Sequence, residues 1–167
     1  MTTTRKKPVA EIAAEMGVGL LMPHLTCRNC AKAIDFYKSA FGAEEMMRLP
    51  GPDGRLMHAS VRINGAVVML NDEYPEMGGA SPLALGGSPV TLHLMVDDVD
   101  AVVAKAVKAG AVITMEVADQ FWGDRYGVVK DPFGHLWSVA TPVWPPKSPD
   151  EMEAARDAAM QQMSGEM

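Results

Sequence analysis

Apolar and polar positions along this chain follow two rhythms, one of period two and one of helical period, in the same order twice. Residues 20–26 read as a strand. Asn29 can cap a helix in which Ala33, Ile34, Tyr37 and Phe41 recur at helical spacing, and Gly42 follows as a natural stop. Residues 43–49 form a second strand ending at the turn Gly51-Pro52-Asp53-Gly54. Residues 57–63 and 67–71 are strands joined through Asn64-Gly65, a hairpin signal because the tight turn needs φ > 0 at both positions. Residues 72–89 are rich in Gly, Pro and Ser and read as a connector.

The pattern then restarts. Residues 90–96 are a strand, and Asp98 caps a helix with Val99, Val102, Val103, Ala106 and Val107 on one face. Gly110 ends it, and 111–117 is the next strand. Residues 125–130 and 136–140 close the set as a hairpin around Asp131-Pro132-Phe133-Gly134, where Pro presets φ and Gly accepts φ > 0. His24 and His93, Asn29 and Asp98, Gly65 and Gly134, and Met69 and Ser138 all stand 69 residues apart, and Gly42 and Gly110 stand 68 apart. One register through five landmarks indicates a tandem βαβββ repeat. Residues 1–19 form an N-terminal extension with a short helix over 9–16. A Pro-rich stretch follows the second unit. Ser148 as N-cap, Pro149 at N1 and Glu151 at N3 then start a C-terminal helix. Its face of Met152, Ala155, Ala159 and Met163 is expected to dock on the body or on a second subunit.

A length of 167 residues suits one domain, or two small modules sharing a core. The formal charge of −6 argues against a nucleic-acid surface, which needs a basic patch. The only basic cluster, Arg5-Lys6-Lys7, lies near a terminus expected to fray. No apolar run approaches the roughly 20 residues that span a bilayer. The opening MTTTRKKP lacks the apolar stretch of a secretory signal, so a cytoplasmic protein is expected. Two cysteines do not make a disulfide scaffold.

Chemistry gathers at the second hairpin. Trp122, Arg125, Tyr126, His135 and Trp137 crowd it, a mixture that suits a pocket wall or a packed edge. Trp122 and Tyr126 can stack on a planar ligand or serve a structural role at the module seam. Arg125 can grip a carboxylate or phosphate with its fork, or pair with Asp124 or Asp119. Met22, Met69 and Met95, among 14 methionines, are placed by alternation where thioethers would line a hollow or fill a core. His58 is expected to face outward. Trp137 is expected in the core, and Asp97, Asp98 and Asp131 serve as cap and turn residues. Cys27-Arg28-Asn29-Cys30 is a CxxC at a strand-to-helix junction, read as two small residues beside a cap rather than a redox pair.

The words IDFY-x-x-x-FG at Ile34 to Gly42, WGDRYG at Trp122 to Gly127 and DPFGH-x-W at Asp131 to Trp137 resemble the vicinal-oxygen-chelate superfamily, the glyoxalase and bleomycin-resistance proteins. The PhnB-like subgroup is the most similar. The resemblance covers roughly residues 20–141. It implies an α+β fold: tandem βαβββ modules forming a half-open eight-stranded barrel, with a concave inner surface. The domain would run over 20–145, with module one at 20–72, the connector at 73–89 and module two at 90–141. Residues 146–167 would carry the C-terminal helix. Metalloenzymes of the superfamily hold one divalent ion through His, Gln or Glu on the first and last strands of each module. Alignment on the shared words places those slots at Met22, Met69, Thr91 and Ser138, none a good ligand for such an ion. No cofactor is therefore expected, and a divalent metal, if bound, would fall to His24 and His93. These lie two residues beyond Met22 and Thr91, on the same strand face, and as repeat-related residues would approach each other across the pseudo-twofold axis. The resemblance thus implies a binder of a small planar or apolar molecule, working without metal through Met22, Met69, Thr91, Met95, Trp122, Arg125, Tyr126 and Ser138. The alternative is an isomerase- or lyase-type enzyme in which His24 and His93 transfer a proton. Exposed sheet edges and the spare helix favour a homodimer.

Overall fold

A computed structural model of the chain describes residues 7–143 and 145–165; the expected fraying of residues 1–6 lies outside them. The chain divides into two compact units that part between Gly86 and Gly87.

In the first unit, α1 (Val9–Met16) precedes β1 (His24–Cys27), α2 (Cys30–Phe41), β2 (Glu44–Pro50), β3 (Leu56–Ile63) and β4 (Ala66–Asp72). The sheet order is β1-β4-β3-β2, with β1 parallel to β4 and the other pairs antiparallel. The second unit repeats this with β5 (Thr91–Met95), α4 (Val99–Ala109), β6 (Val112–Asp119), β7 (Asp124–Lys130) and β8 (Leu136–Pro142), in the order β5-β8-β7-β6. The first strand starts at His24, not residue 20, so Met22 precedes the paired ladder. The connector holds a 3₁₀ turn at Pro75–Met77 and a short helix α3 (Pro82–Leu85), each opened by Pro and closed by a left-handed Gly. Neither was expected from a Gly/Pro/Ser-rich stretch. The fold is α+β, built from two βαβββ units as the offsets implied.

The duplication reaches the caps. Asn29 Oδ1 accepts from Lys32 N at 3.1 Å, and Asp98 Oδ1 from Ala101 N at 2.9 Å. Each last strand also contributes a cap 69 residues from its counterpart. Asp72 Oδ1 accepts from Cys30 N at 2.7 Å, and Thr141 Oγ1 accepts from Val99 N at 2.8 Å. Asp72 is buried, and its second oxygen takes Leu56 N at 2.7 Å, so one carboxylate ties α2 to the start of β3. Bulges repeat as well. Met46 on β2 and Thr114 on β6 have no partner in register, and they stand 68 residues apart.

One face of each sheet carries the helix and the core. In the first unit Ile34, Phe36, Tyr37 and Phe41 pack on Val61, Ile63 and Leu70, all buried. In the second, α4 offers only Val99, Val103 and Ala106, and the sheet supplies the missing volume as Trp137, buried beside Val129 and Val139. Trp137 Nε1 donates to Asp131 Oδ2 at 3.0 Å, which meets the polar need of a buried indole. Asp131 Oδ1 also accepts from Phe133 N and His135 N at 2.9 Å each, so it orders its own turn. Gly127 is required by close approach: a Cβ there would lie 2.8 Å from Val117 Cγ2.

The C-terminal helix, α5 (Pro149–Gly165), begins with a reciprocal cap. Glu151 Oε2 accepts from Ser148 N at 2.7 Å, and Ser148 Oγ from Glu151 N at 3.3 Å. None of its described residues is buried; Met152, Ala155 and Ala159 are half-exposed and Met163 is exposed.

Candidate functional site

Strand alternation puts the chemistry on the sheet face away from each helix. In β3, Ala59, Val61 and Ile63 are buried toward α2, which turns His58, Ser60 and Arg62 to the other face. His58 therefore shares a face with His24 and does not point away from it. The two rings meet edge to face with centroids 5.7 Å apart and planes at 86°. The alternation of apolar 59, 61, 63 against polar 58, 60, 62 was the signal that could have found it.

His24 is the register partner of Met69 on the parallel strand, and Met69 is opposite Ser60. Burial, and then the neighbouring His58, hold the His24 pKa below the usual imidazole value. The ring is thus biased toward its neutral form near pH 7.

In the second unit, Thr91, His93 and Met95 alternate onto the face away from α4 and pair with Leu136, Ser138 and Ala140. His93 Nδ1 lies 2.8 Å from Ser138 Oγ. The His93 ring stacks near-parallel on Tyr126, with centroids 6.2 Å apart and planes at 19°. Trp122 stands edge-on to Tyr126 at 5.6 Å, and Phe121 edge-on to Trp122 at 5.1 Å. Trp122 is oriented by its Nε1, which donates to Asp124 Oδ2 at 2.9 Å. Four rings thus run along one end of this sheet.

Arg125 is set apart from them. It alternates with Tyr126 and turns to the helix side, where Asp100 on α4 holds it by two bonds of 2.6 and 2.8 Å. Asp119 adds a third at 3.0 Å. Of the two expected roles, the pairing with Asp119 is present, and Asp100 is an additional partner that sequence reasoning missed.

The registers also regroup the expected ligand-binding residues. His24 pairs with Met69 and His93 with Ser138, while Thr91 pairs with Leu136. Each unit therefore presents one imidazole beside one thioether or hydroxyl at this position. Within neither unit do three His, Cys, Asp or Glu side chains of the described residues gather to hold an ion. These donors do not fit a divalent cation that seeks carboxylate or several imidazoles. Cys27 and Cys30 are fully buried, and burial with the nearby Asp72 pushes the Cys30 thiol up to about 12, far from a reactive thiolate.

A twice-repeated βαβββ unit with histidines on the helix-free face of each sheet defines a distinct class of protein. The chain belongs to the Glyoxalase/Bleomycin resistance protein/Dioxygenase superfamily, whose profile matches residues 18–139. An uncharacterized protein of Mycobacterium bovis is 56% identical over 138 residues, covering 81% of this chain and 90% of that one. The crystal structure of the Arabidopsis thaliana gene product At5g48480 is 33% identical, with a TM-score of 0.61 over 73% of this chain and 98% of that one. The PhnB protein of Bacillus cereus shares the fold at 18% identity, with a TM-score of 0.59 over 74% of this chain and 99% of that one. Among the described residues no helix is long and apolar enough to cross a membrane.

Proposed function

We propose that the chain binds a small, planar or apolar organic molecule against the helix-free face of its sheets, without a divalent ion. The ring series His93, Tyr126, Trp122 carries this reading. Flat groups spaced in this way can stack on a planar ligand, and the adjacent thioether of Met95, 59% exposed, adapts to irregular apolar shape. The donor set at His24, Met69, His93 and Ser138 favours shape and stacking over Lewis-acid chemistry. The setting is the cytoplasm and the working form a homodimer, supported by Met46, Met47 and Leu49 exposed along the edge strand β2. Titration with planar aromatics and glycopeptide drugs, followed by tryptophan fluorescence, is expected to show saturable quenching that Trp122→Ala abolishes. Absence of any response across the panel would overturn the reading.

A second reading is favoured by the bias of His24 toward the neutral form. A neutral imidazole is a competent base at pH 7, suited to proton transfer beside a carbonyl in an isomerase- or lyase-type reaction. Solvent-hydrogen exchange into α-hydroxy or α-keto substrates, lost in His24→Ala, distinguishes this from simple binding.

A further inference from the structure

We propose that His24, His58 and Met69 of the first unit form a site for a soft monovalent cation, copper(I) in a cell. This goes beyond the binding of an organic ligand, and its failure leaves that reading standing.

Three donors on one sheet face carry it. His24 and Met69 are register partners on adjacent parallel strands, so an imidazole and a thioether rise from backbones about 4.8 Å apart. The His24 and His58 centroids are 5.7 Å apart. With a metal–nitrogen bond of about 2.0 Å, two imidazoles sharing one ion have centroids roughly 5 to 6.4 Å apart. The rings now meet at 86°. Rotation about the Cβ–Cγ bond of histidine, a broad torsion, turns a nitrogen of each toward a common point. Met69 is half-buried and unbranched, so its sulfur adapts to the same point.

The chemistry selects the ion. Thioether and imidazole together are soft and neutral, and they suit copper(I) rather than magnesium, calcium or manganese. The second unit lacks this set. Ser138 stands at the position of Met69, and its hydroxyl engages the His93 ring. The other soft donors nearby, Cys27 and Cys30, are fully buried, and Cys27 alternates onto the helix side of β1.

The test is anaerobic titration of the full chain with copper(I) in competition with bicinchoninate, and X-ray absorption of the loaded protein. One equivalent per chain is expected, with nitrogen and a single sulfur around the metal. His24→Ala, His58→Ala and Met69→Leu should each weaken binding about tenfold or more. Met69→Leu nearly conserves volume, so it removes the sulfur without opening the core. Failure to compete with the chelator would overturn the proposal. So would affinity unchanged in both histidine variants, or a coordination shell of sulfur alone, which would place the ion on the cysteines.

Discussion

Ser138 Oγ and His93 Nδ1 lie 2.8 Å apart across the parallel pairing of β8 with β5. The backbone around Ser138 is committed to ladders on both sides, with β5 and β7. The two atoms share one hydrogen bond whose direction follows the ring tautomer: Nδ1 accepts from the hydroxyl when the ring proton is on Nε2, and donates to it when the proton is on Nδ1. Ser138→Ala removes this constraint on the tautomer, which should be visible as a change in the ¹⁵N shifts of the His93 ring. Ser138 is 3% exposed, so loss of the bond should also cost about 1 kcal/mol in urea unfolding.

His24 and His58 form the second testable pair. Two imidazolium charges repel, and this adds to burial in lowering the His24 pKa. His58→Ala should therefore raise it toward the usual value, measured by NMR titration of the remaining rings. The linkage follows in sign. The unfolded chain takes up the His24 proton at higher pH than the folded one. This contribution to stability is complete above about 6.5 and falls as pH drops through the folded value.

Glu73 holds the connector. Arg28 pairs with it at 2.9 Å, and Ser81 donates through both its amide and its hydroxyl. The guanidinium and then the hydroxyl pull the carboxyl down to about 2. The tether is present above the ordinary carboxylate range and is lost as pH falls toward 2. Glu73→Gln should raise hydrogen exchange at Ser81 at neutral pH, with exchange in the core strands unchanged.

Gly127 faces Val117 across the irregular β6–β7 pairing, with Met115 O also 3.3 Å from where a Cβ would sit. Gly127→Ala should cost roughly 1–3 kcal/mol in urea unfolding, because a short branched side chain and backbone must both give way.

The parts legible in the sequence are those that local chemistry fixes. The Asn64-Gly65 turn has φ of 44° and 83°, as the dipeptide demands, and Asn29, Asp98 and Ser148 cap as their side chains allow. The repeat was legible because its landmarks keep one offset. Register was not, since pairing is chosen by the whole sheet and not by one strand. Alignment on the shared words could place Met22, Met69, Thr91 and Ser138 in one set, but only the folded sheets show that His24 and His93 stand opposite Met69 and Ser138. The grip of Asp100 on Arg125 joins elements 25 residues apart, beyond any local rule. Within the aromatic hairpin, Tyr126 stacks on His93 and Trp122 meets Tyr126, while Trp137 enters the core as its place in the strand pattern implied.

The paired irregularities at Met46 and Thr114 have a geometric consequence. An unpaired residue in an edge strand bends it and sharpens its twist, so both sheets deform at equivalent points. On these matching ladders a thioether faces His24 in one unit and a hydroxyl faces His93 in the other.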